Sequence, residues 1–193
     1  MKEREYKFLV DQHRLTEIYH AARKQSGQPV VTTQINYYFD DAQNSLNRRG
    51  ITLRIRQKGH RLMLQYKEHD SCEAHLTVSQ ETEKELYQLP PVIDRLYTLK
   101  GLLVTQRQRF MLQPGLSLDL DTNYYLGICD YEIELEFSSG QAHRAKAWME
   151  SLGLHLQPIS QSKSSRFFTQ LEQYAFELQK KAGNDHGCQS ASD

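Results

Sequence analysis

Several short stretches of this chain set charged residues two positions apart against apolar neighbours. Glu3, Glu5 and Lys7 alternate with Arg4, Tyr6 and Phe8; Arg54 and Arg56 alternate with Leu53 and Ile55; Asp119 and Asp121 alternate with Leu118 and Leu120. Glu132, Glu134 and Glu136 alternate with Ile133, Leu135 and Phe137, and Arg107 and Arg109 repeat the spacing in the segment before the aspartates. In an extended strand, residues two apart share a face. The acids therefore stand together on some strands and the bases on others, whereas a merely solvated face normally mixes the two signs. Two carboxylates about 7 Å apart on one face repel by roughly 2 kcal/mol at an effective dielectric of 20. A hard divalent cation, Mg²⁺ or Mn²⁺, offsets that repulsion, since it takes a few carboxylate oxygens together with water and phosphate oxygens. For the bases the natural partner is a polyanion, because guanidinium forks match phosphate oxygens in pairs and ammonium groups add point charge.

These residues need strands to hold them, and the period-two pattern supplies seven: Lys2 to Leu9, Thr33 to Asp40, Ile51 to Gln57, Arg61 to Lys67, Leu103 to Leu112, Leu116 to Asp121 and Tyr131 to Phe137. Helical spacing appears in Leu15, Ile18, Tyr19 and Ala22 after an Asp11 cap, and in Ala142, Ala145, Trp148, Met149 and Leu152 before Gly153. A further helix is expected after Pro90-Pro91, through Ile93, Leu96 and Leu99 to Gly101, and a last one from Ser164 or Ser165 with Phe167, Leu171, Tyr174 and Leu178 on one stripe. If the charged faces all point one way, the sheet curves until they surround a cavity. The expected fold is α+β, mainly antiparallel β: an eight-stranded closed barrel, or tunnel, with a charged lumen and flanking helices.

The bulk properties bound the function classes. At 193 residues the chain is expected to form a single domain over residues 1–181, with 182–193, rich in Gly, Asn, Asp, Ser and Gln, as a disordered tail. Lys plus Arg and Asp plus Glu both number 24, so no global field draws the protein to nucleic acid or to an anionic membrane, and anion binding must be local. The charged N-terminus and the lack of a long apolar run set the expectation of a cytoplasmic protein. Cys72, Cys129 and Cys188 are odd in number and widely spaced, the pattern of free thiols rather than of a disulfide framework or a zinc site. No glycine-loop nucleotide motif and no HExxH pattern is present.

The opening Glu3-Arg4-Glu5-Tyr6-Lys7 resembles the ExExK signature of the CYTH, or triphosphate tunnel metalloenzyme, superfamily. Six further segments look like its successive motifs in the same order. They are Tyr37-Tyr38-Phe39-Asp40, Leu53-Arg54-Ile55-Arg56, Leu64-Gln65-Tyr66-Lys67, Leu118-Asp119-Leu120-Asp121, Tyr131-Glu132-Ile133-Glu134-Leu135-Glu136 and Ser162-Lys163-Ser164-Ser165-Arg166. The resemblance spans Met1 to Leu171 and is strongest to the bacillus-type branch. It implies hydrolysis of inorganic triphosphate, thiamine triphosphate or a nucleoside triphosphate in a metal-dependent tunnel. By position it implies Glu3, Glu5, Glu134 and Glu136 as metal ligands with Asp121. Asp119 competes with Asp121 for that place, and Glu132 adds a third acid to the usual pair. It implies Lys7, Arg54, Arg56, Lys67, Arg107 and Lys163 as phosphate holders, with Arg109 and Arg166 as further candidates and Lys7 and Glu81 in catalytic positions; Glu83 is an alternative to Glu81. A non-hydrolysing polyphosphate- or nucleotide-binding module, an adenylate cyclase and a structural sandwich with solvated charges are the competing readings.

Overall fold

All seven alternating stretches are strands. The protein's structure, a computed structural model, describes residues 2–73, 76–155 and 161–185, with side chains for 4–68, 78–155 and 161–181. The Glu3 side chain, those of Cys72 and Cys188, and residues 186–193 of the expected tail lie outside the described residues. In chain order the elements are β1 (Lys2–Val10), α1 (Gln12–Ser26), β2 (Val30–Asp40), α2 (Ser45–Arg48), β3 (Ile51–Lys58), β4 (Arg61–Glu73), β5 (Leu76–Leu86), β6 (Val92–Ile93), β7 (Tyr97–Gln113), β8 (Leu116–Tyr125), β9 (Ile128–Phe137), α3 (Ala142–Ser151) and α4 (Lys163–Asp185). Eight strands pair antiparallel in the cyclic order β1-β9-β8-β7-β2-β3-β4-β5, and β5 returns to β1, so the barrel is closed; β6 is an extra strand on β7. No described helix is long and apolar enough to cross a membrane.

The barrel is charged inside and apolar outside. Phe8, Phe110, Leu116, Leu118, Leu120, Ile133, Leu135 and Phe137 turn outward and pack beneath Ile18 and Ala22 of α1 and Ala145 and Met149 of α3. Leu118 and Ile133 are fully buried there, and truncating either to Ala costs about 2–5 kcal/mol. Asp11 caps α1 as its sequence position suggests, its side chain accepting the Arg14 N–H at 2.7 Å. A second outer cluster joins Phe39, Ile51, Leu53 and Ile55 to Leu46 of α2 and Ile93. The short α2 is held by Asp40, whose carboxylate accepts the backbone N–H groups of Leu46 at 3.0 Å and Asn47 at 2.9 Å.

Two elements differ from the sequence expectation. The segment after Pro90-Pro91 is a hairpin between β6 and β7, not a helix: Asp94 and Arg95 turn the chain at φ 49° and 57°, and Val92 and Ile93 pair with Thr98 and Tyr97. The three-residue spacing of Ile93, Leu96 and Leu99 coincides with a helical period, but left-handed turn residues break any helix. Strand β5 carries no apolar alternation to announce it. Ser79 and Glu81 are buried on its inner face, while Gln80, Thr82 and Lys84 are exposed on its outer face, so both faces are polar along its middle, and only Val78 and Leu86 flank that stretch as half-buried apolar residues.

One end of the barrel is closed by α4. Phe167 and Phe168 pack with Tyr38, Leu103 and Tyr125, and the Phe167 ring centroid lies 4.9 Å from that of Tyr38. Gly101, opposite Tyr38 in the ladder at a β-bulge, makes this seating possible: a Cβ there would stand 2.7 Å from the Phe167 ring. The other end is open, marked by exposed Lys58 and Arg61 and by partly exposed Arg109 and Glu136. Beyond Leu171, α4 leaves the barrel with every described residue exposed, so Tyr174 and Leu178 continue the stripe without covering the core.

Candidate functional site

The inward faces meet in one cavity. About 520 Å³ of space, part of it open to solvent, is lined by Glu5, Lys7, Thr52, Arg54, Arg56, Lys67, Glu81, Arg107, Glu134, Glu136, Ser162, Lys163 and Ser164. Ten of the residues singled out from sequence are therefore together on its wall. Glu5 sits on β1 opposite Glu136 of β9, and Lys7 opposite Glu134, so strand register alone interleaves acid and base.

Glu5, Glu134 and Glu136 each bring a carboxylate oxygen to one point, all within 4.8 Å of one another. Lys7 Nζ lies 3.0 Å from Glu5 Oε1 and 3.4 Å from Glu134 Oε1. Burial works against the charge on Lys7, and Glu5, Glu134 and Glu132 outweigh it, holding the ammonium above its ordinary pKa. Burial likewise opposes ionisation of Glu134, yet Lys163, Lys7 and Arg107 hold its carboxyl well below the usual range. Glu136 has weaker cationic support, and burial with the nearby Asp119 charge pushes it up to about 7.

Asp119, Asp121 and Glu132 do not converge with that trio. Each is fully buried behind the cavity wall and tied to bases. Arg107 Nε and Nη2 donate to the two Asp121 oxygens at 2.8 and 2.6 Å, and Nη2 also donates to Glu134 while Nη1 pairs with Asp119. Arg109 Nε donates to Asp119 at 2.6 Å and its Nη2 to Glu136 at 2.7 Å. Lys163 Nζ reaches Asp121 at 2.9 Å, Glu132 at 2.7 Å and Glu134 at 2.6 Å. Arg166 stands outside the cavity lining: Nε donates to Asp130 at 2.9 Å, Nη1 to the Gln161 carbonyl at 2.7 Å, and Nη2 pairs with Glu132 at 2.6 Å. These bonds anchor α4 to β9. The repulsion inferred along single strands is thus largely offset between strands, because Arg107 lies directly across from Asp121, and Arg109 from Asp119.

The opposite wall is different. Arg54 Nε donates to Gln65 at 2.7 Å and its Nη2 lies 3.5 Å from Glu81, while Lys67 Nζ lies 3.7 Å from Glu5. Arg56 donates to the Asn36 side chain at 2.9 Å, and among the described residues no carboxylate stands within ion-pair distance of it. Burial, then the Arg54 and Arg107 charges, push its guanidinium down to about 9 from the ordinary 12.5. Arginine keeps its proton at neutral pH, so that shift expresses a charge held away from water and, after that, like-charge repulsion, both of which a bound anion would offset. Lys58 is lowered in the same way, by burial and then by Arg56 and Arg107.

Four residues of this region have no role assigned from the sequence, although Ser162 and Ser164 lie within the motif quoted around Lys163. Thr52 and Lys58 share the face of Arg54 and Arg56, and extending the alternation by one step at each end finds both. Ser162 and Ser164 enter from the start of α4, where no strand parity points to them. Glu83, the alternative to Glu81, is exposed and accepts a hydrogen bond from Gln65, while Glu81 is buried in the cavity wall.

Comparison with known proteins agrees with this arrangement. The model of the CYTH domain matches residues 1–168. No curated protein matches the chain. Among solved structures, a putative adenylate cyclase from Bacillus halodurans is 25% identical with a TM-score of 0.68, over 86% of this chain and 98% of that one. The putative adenylyl cyclase HpAC1 from Hippeastrum, whose structure reveals a dominant triphosphatase activity, is 20% identical with a TM-score of 0.66, over 86% of this chain and 95% of its own. The Mimivirus capping enzyme triphosphatase shares the fold at 10% identity and a TM-score of 0.57, over 78% of this chain and 88% of its own. The closed barrel, its inward acids and bases and the match across them place this chain in the CYTH-domain family.

Proposed function

We propose that the protein hydrolyses a triphosphate-containing small molecule inside the barrel, with Mg²⁺ or Mn²⁺ as cofactor. The observation that carries this reading is the meeting, in one cavity, of a three-carboxylate cluster and a wall with surplus base. Glu5, Glu134 and Glu136 fit a hard divalent cation: all three donors are carboxylate oxygens, they converge, and they leave room for water and phosphate oxygens as further ligands. When bound, such a cation supplies charge neutralisation for the phosphate oxygens and acidifies a coordinated water.

The chain's own groups do the positioning. Arg54, Arg56 and Lys67 hold the phosphate oxygens from the β3–β4 wall, and Lys7 and Arg107 face them from β1 and β7. Phosphoryl transfer asks for alignment and electrostatic stabilisation more than for covalent help, and these fixed cations provide both without reorganising. Glu81, buried beside Arg54, is the candidate acceptor of the attacking water's proton. Asp119, Asp121 and Glu132 act at one remove by holding Arg107, Arg109 and Lys163 in place, and Arg166 holds α4.

The test is phosphate release from inorganic triphosphate, thiamine triphosphate and ATP, each with Mg²⁺, Mn²⁺ or EDTA, with Glu5→Gln as control. Metal-dependent release that the variant lacks is the expected result. Ligand-induced thermal stabilisation without turnover would make the protein a binding module, and cyclic AMP formed from ATP would make it a cyclase.

A further inference from the structure

Lys163 belongs to the motif that sequence reading linked to phosphate, yet its ammonium is already surrounded by three carboxylates, those of Asp121, Glu132 and Glu134. What the start of α4 offers to the cavity is different. Ser162 caps the helix: its carbonyl accepts the Arg166 N–H at 3.0 Å and its Oγ accepts the Ser165 N–H at 3.1 Å. The backbone N–H groups of Lys163 and Ser164, in the first turn, have no acceptor within a helix. Ser162, Lys163 and Ser164 all line the cavity that Arg54 and Arg56 also line. The positive end of a 23-residue helix is therefore presented to the lumen.

A second observation is independent of the helix. Ser164 is 5% exposed, and its hydroxyl is buried with no hydrogen-bond partner among the described residues. A buried hydroxyl without a partner is costly unless something binds there. Ser164 lines the same cavity as Arg56, whose guanidinium has no carboxylate within ion-pair distance among the described residues. An oxyanion at the start of α4 would serve the hydroxyl and the helix terminus at once.

We propose that the first turn of α4, with the Ser164 hydroxyl, forms a phosphoryl-oxygen subsite at the closed end of the barrel. Because Phe167, Tyr38 and Leu103 seal that end, the subsite receives a terminal phosphoryl group, and the rest of the substrate extends toward the open mouth. The inference rests on the triphosphate reading above and assigns Ser164 a binding role that Lys163 cannot fill while its ammonium neutralises acids.

Calorimetric titration in EDTA of the wild type, Ser164→Ala and Ser164→Thr tests it, with inorganic triphosphate and inorganic phosphate as separate probes. Loss of one charge-assisted hydrogen bond predicts about tenfold weaker binding of both probes to Ser164→Ala. Ser164→Thr, which keeps the hydroxyl, is expected to bind nearer to the wild type, and the melting temperature without anion should not fall in Ser164→Ala, because the lost hydroxyl has no partner in the empty fold. Equal triphosphate affinity in the wild type and Ser164→Ala overturns this subsite and leaves the triphosphate reading intact. Failure of the wild type to bind either anion in EDTA overturns the subsite, and failure with Mg²⁺ as well overturns both.

Discussion

On the wall built by β7, β8 and β9, Arg107 meets Asp119, Asp121 and Glu134, and Arg109 meets Asp119 and Glu136, at hydrogen-bonding distance. On the wall built by β3 and β4, Arg56 meets an asparagine, and Arg54 meets a glutamine with Glu81 farther off at 3.5 Å. Both walls carry arginines two residues apart on an inward face. The first is neutralised by the protein itself, whereas on the second Arg56 has no carboxylate within ion-pair distance among the described residues. A buried charge that lacks a partner raises the free energy of the empty fold, so the second wall is the one poised to gain from an incoming anion, while the first is a rigid frame.

Breaking the frame should have the largest effect. Arg107→Ala leaves Asp119, Asp121 and Glu134 buried with one cation fewer. Removing a buried partner costs about 3–5 kcal/mol, and in a chain of this size the melting temperature should fall by roughly 10 °C, read by calorimetry. Glu5→Gln acts instead on the carboxylate trio. Its ion pairs are to Lys7 at 3.0 Å and Lys67 at 3.7 Å, looser than those of Glu134, so the fold should survive while metal-dependent phosphate release drops about a hundredfold or more. An intact rate in Glu5→Gln would show that this trio is not where the cation acts.

Arg56→Gln should sharpen the contrast, because it moves stability and binding in opposite directions. Relieving the repulsion from Arg54 and Arg107 should raise the melting temperature by about 2–4 °C, while triphosphate binding weakens at least about tenfold. The smallest effect concerns pH. Glu136, lifted from 4.5 to about 7 by burial and by Asp119, keeps its proton in the folded chain where the unfolded chain has lost it. Between those two values the folded state binds more protons, so this group lowers stability as the pH rises. Glu136→Gln should flatten that slope, measured as melting temperature from pH 4.5 to 7.5 without metal.

Strand faces were legible in the sequence because alternation is a local property: Leu118-Asp119-Leu120-Asp121 announces both its strand and its inward side. β5 was not, since the middle of its outer face, Gln80, Thr82 and Lys84, meets solvent and repeats the polarity of its inner one. Cross-strand pairing was not legible either. Single strands show Asp119 and Asp121 as mutually repelling, and only the antiparallel register places Arg109 and Arg107 opposite them. The convergence of Glu5 with Glu134 and Glu136 depends in the same way on β1 lying beside β9, two segments more than a hundred positions apart in the chain. Ser164 lies in the motif around Lys163 but on no alternating face, so its place on the cavity wall comes from where α4 meets the barrel.

The most direct measurement is a calorimetric titration of inorganic triphosphate, in EDTA, into the wild type and Arg56→Gln, with the melting temperature of each recorded alongside. A base-surplus wall predicts at least about tenfold weaker binding to a variant that is at the same time more heat-stable. Unchanged binding, or a variant that melts earlier than the wild type, would show that Arg56 is part of the frame and that the anion is held elsewhere.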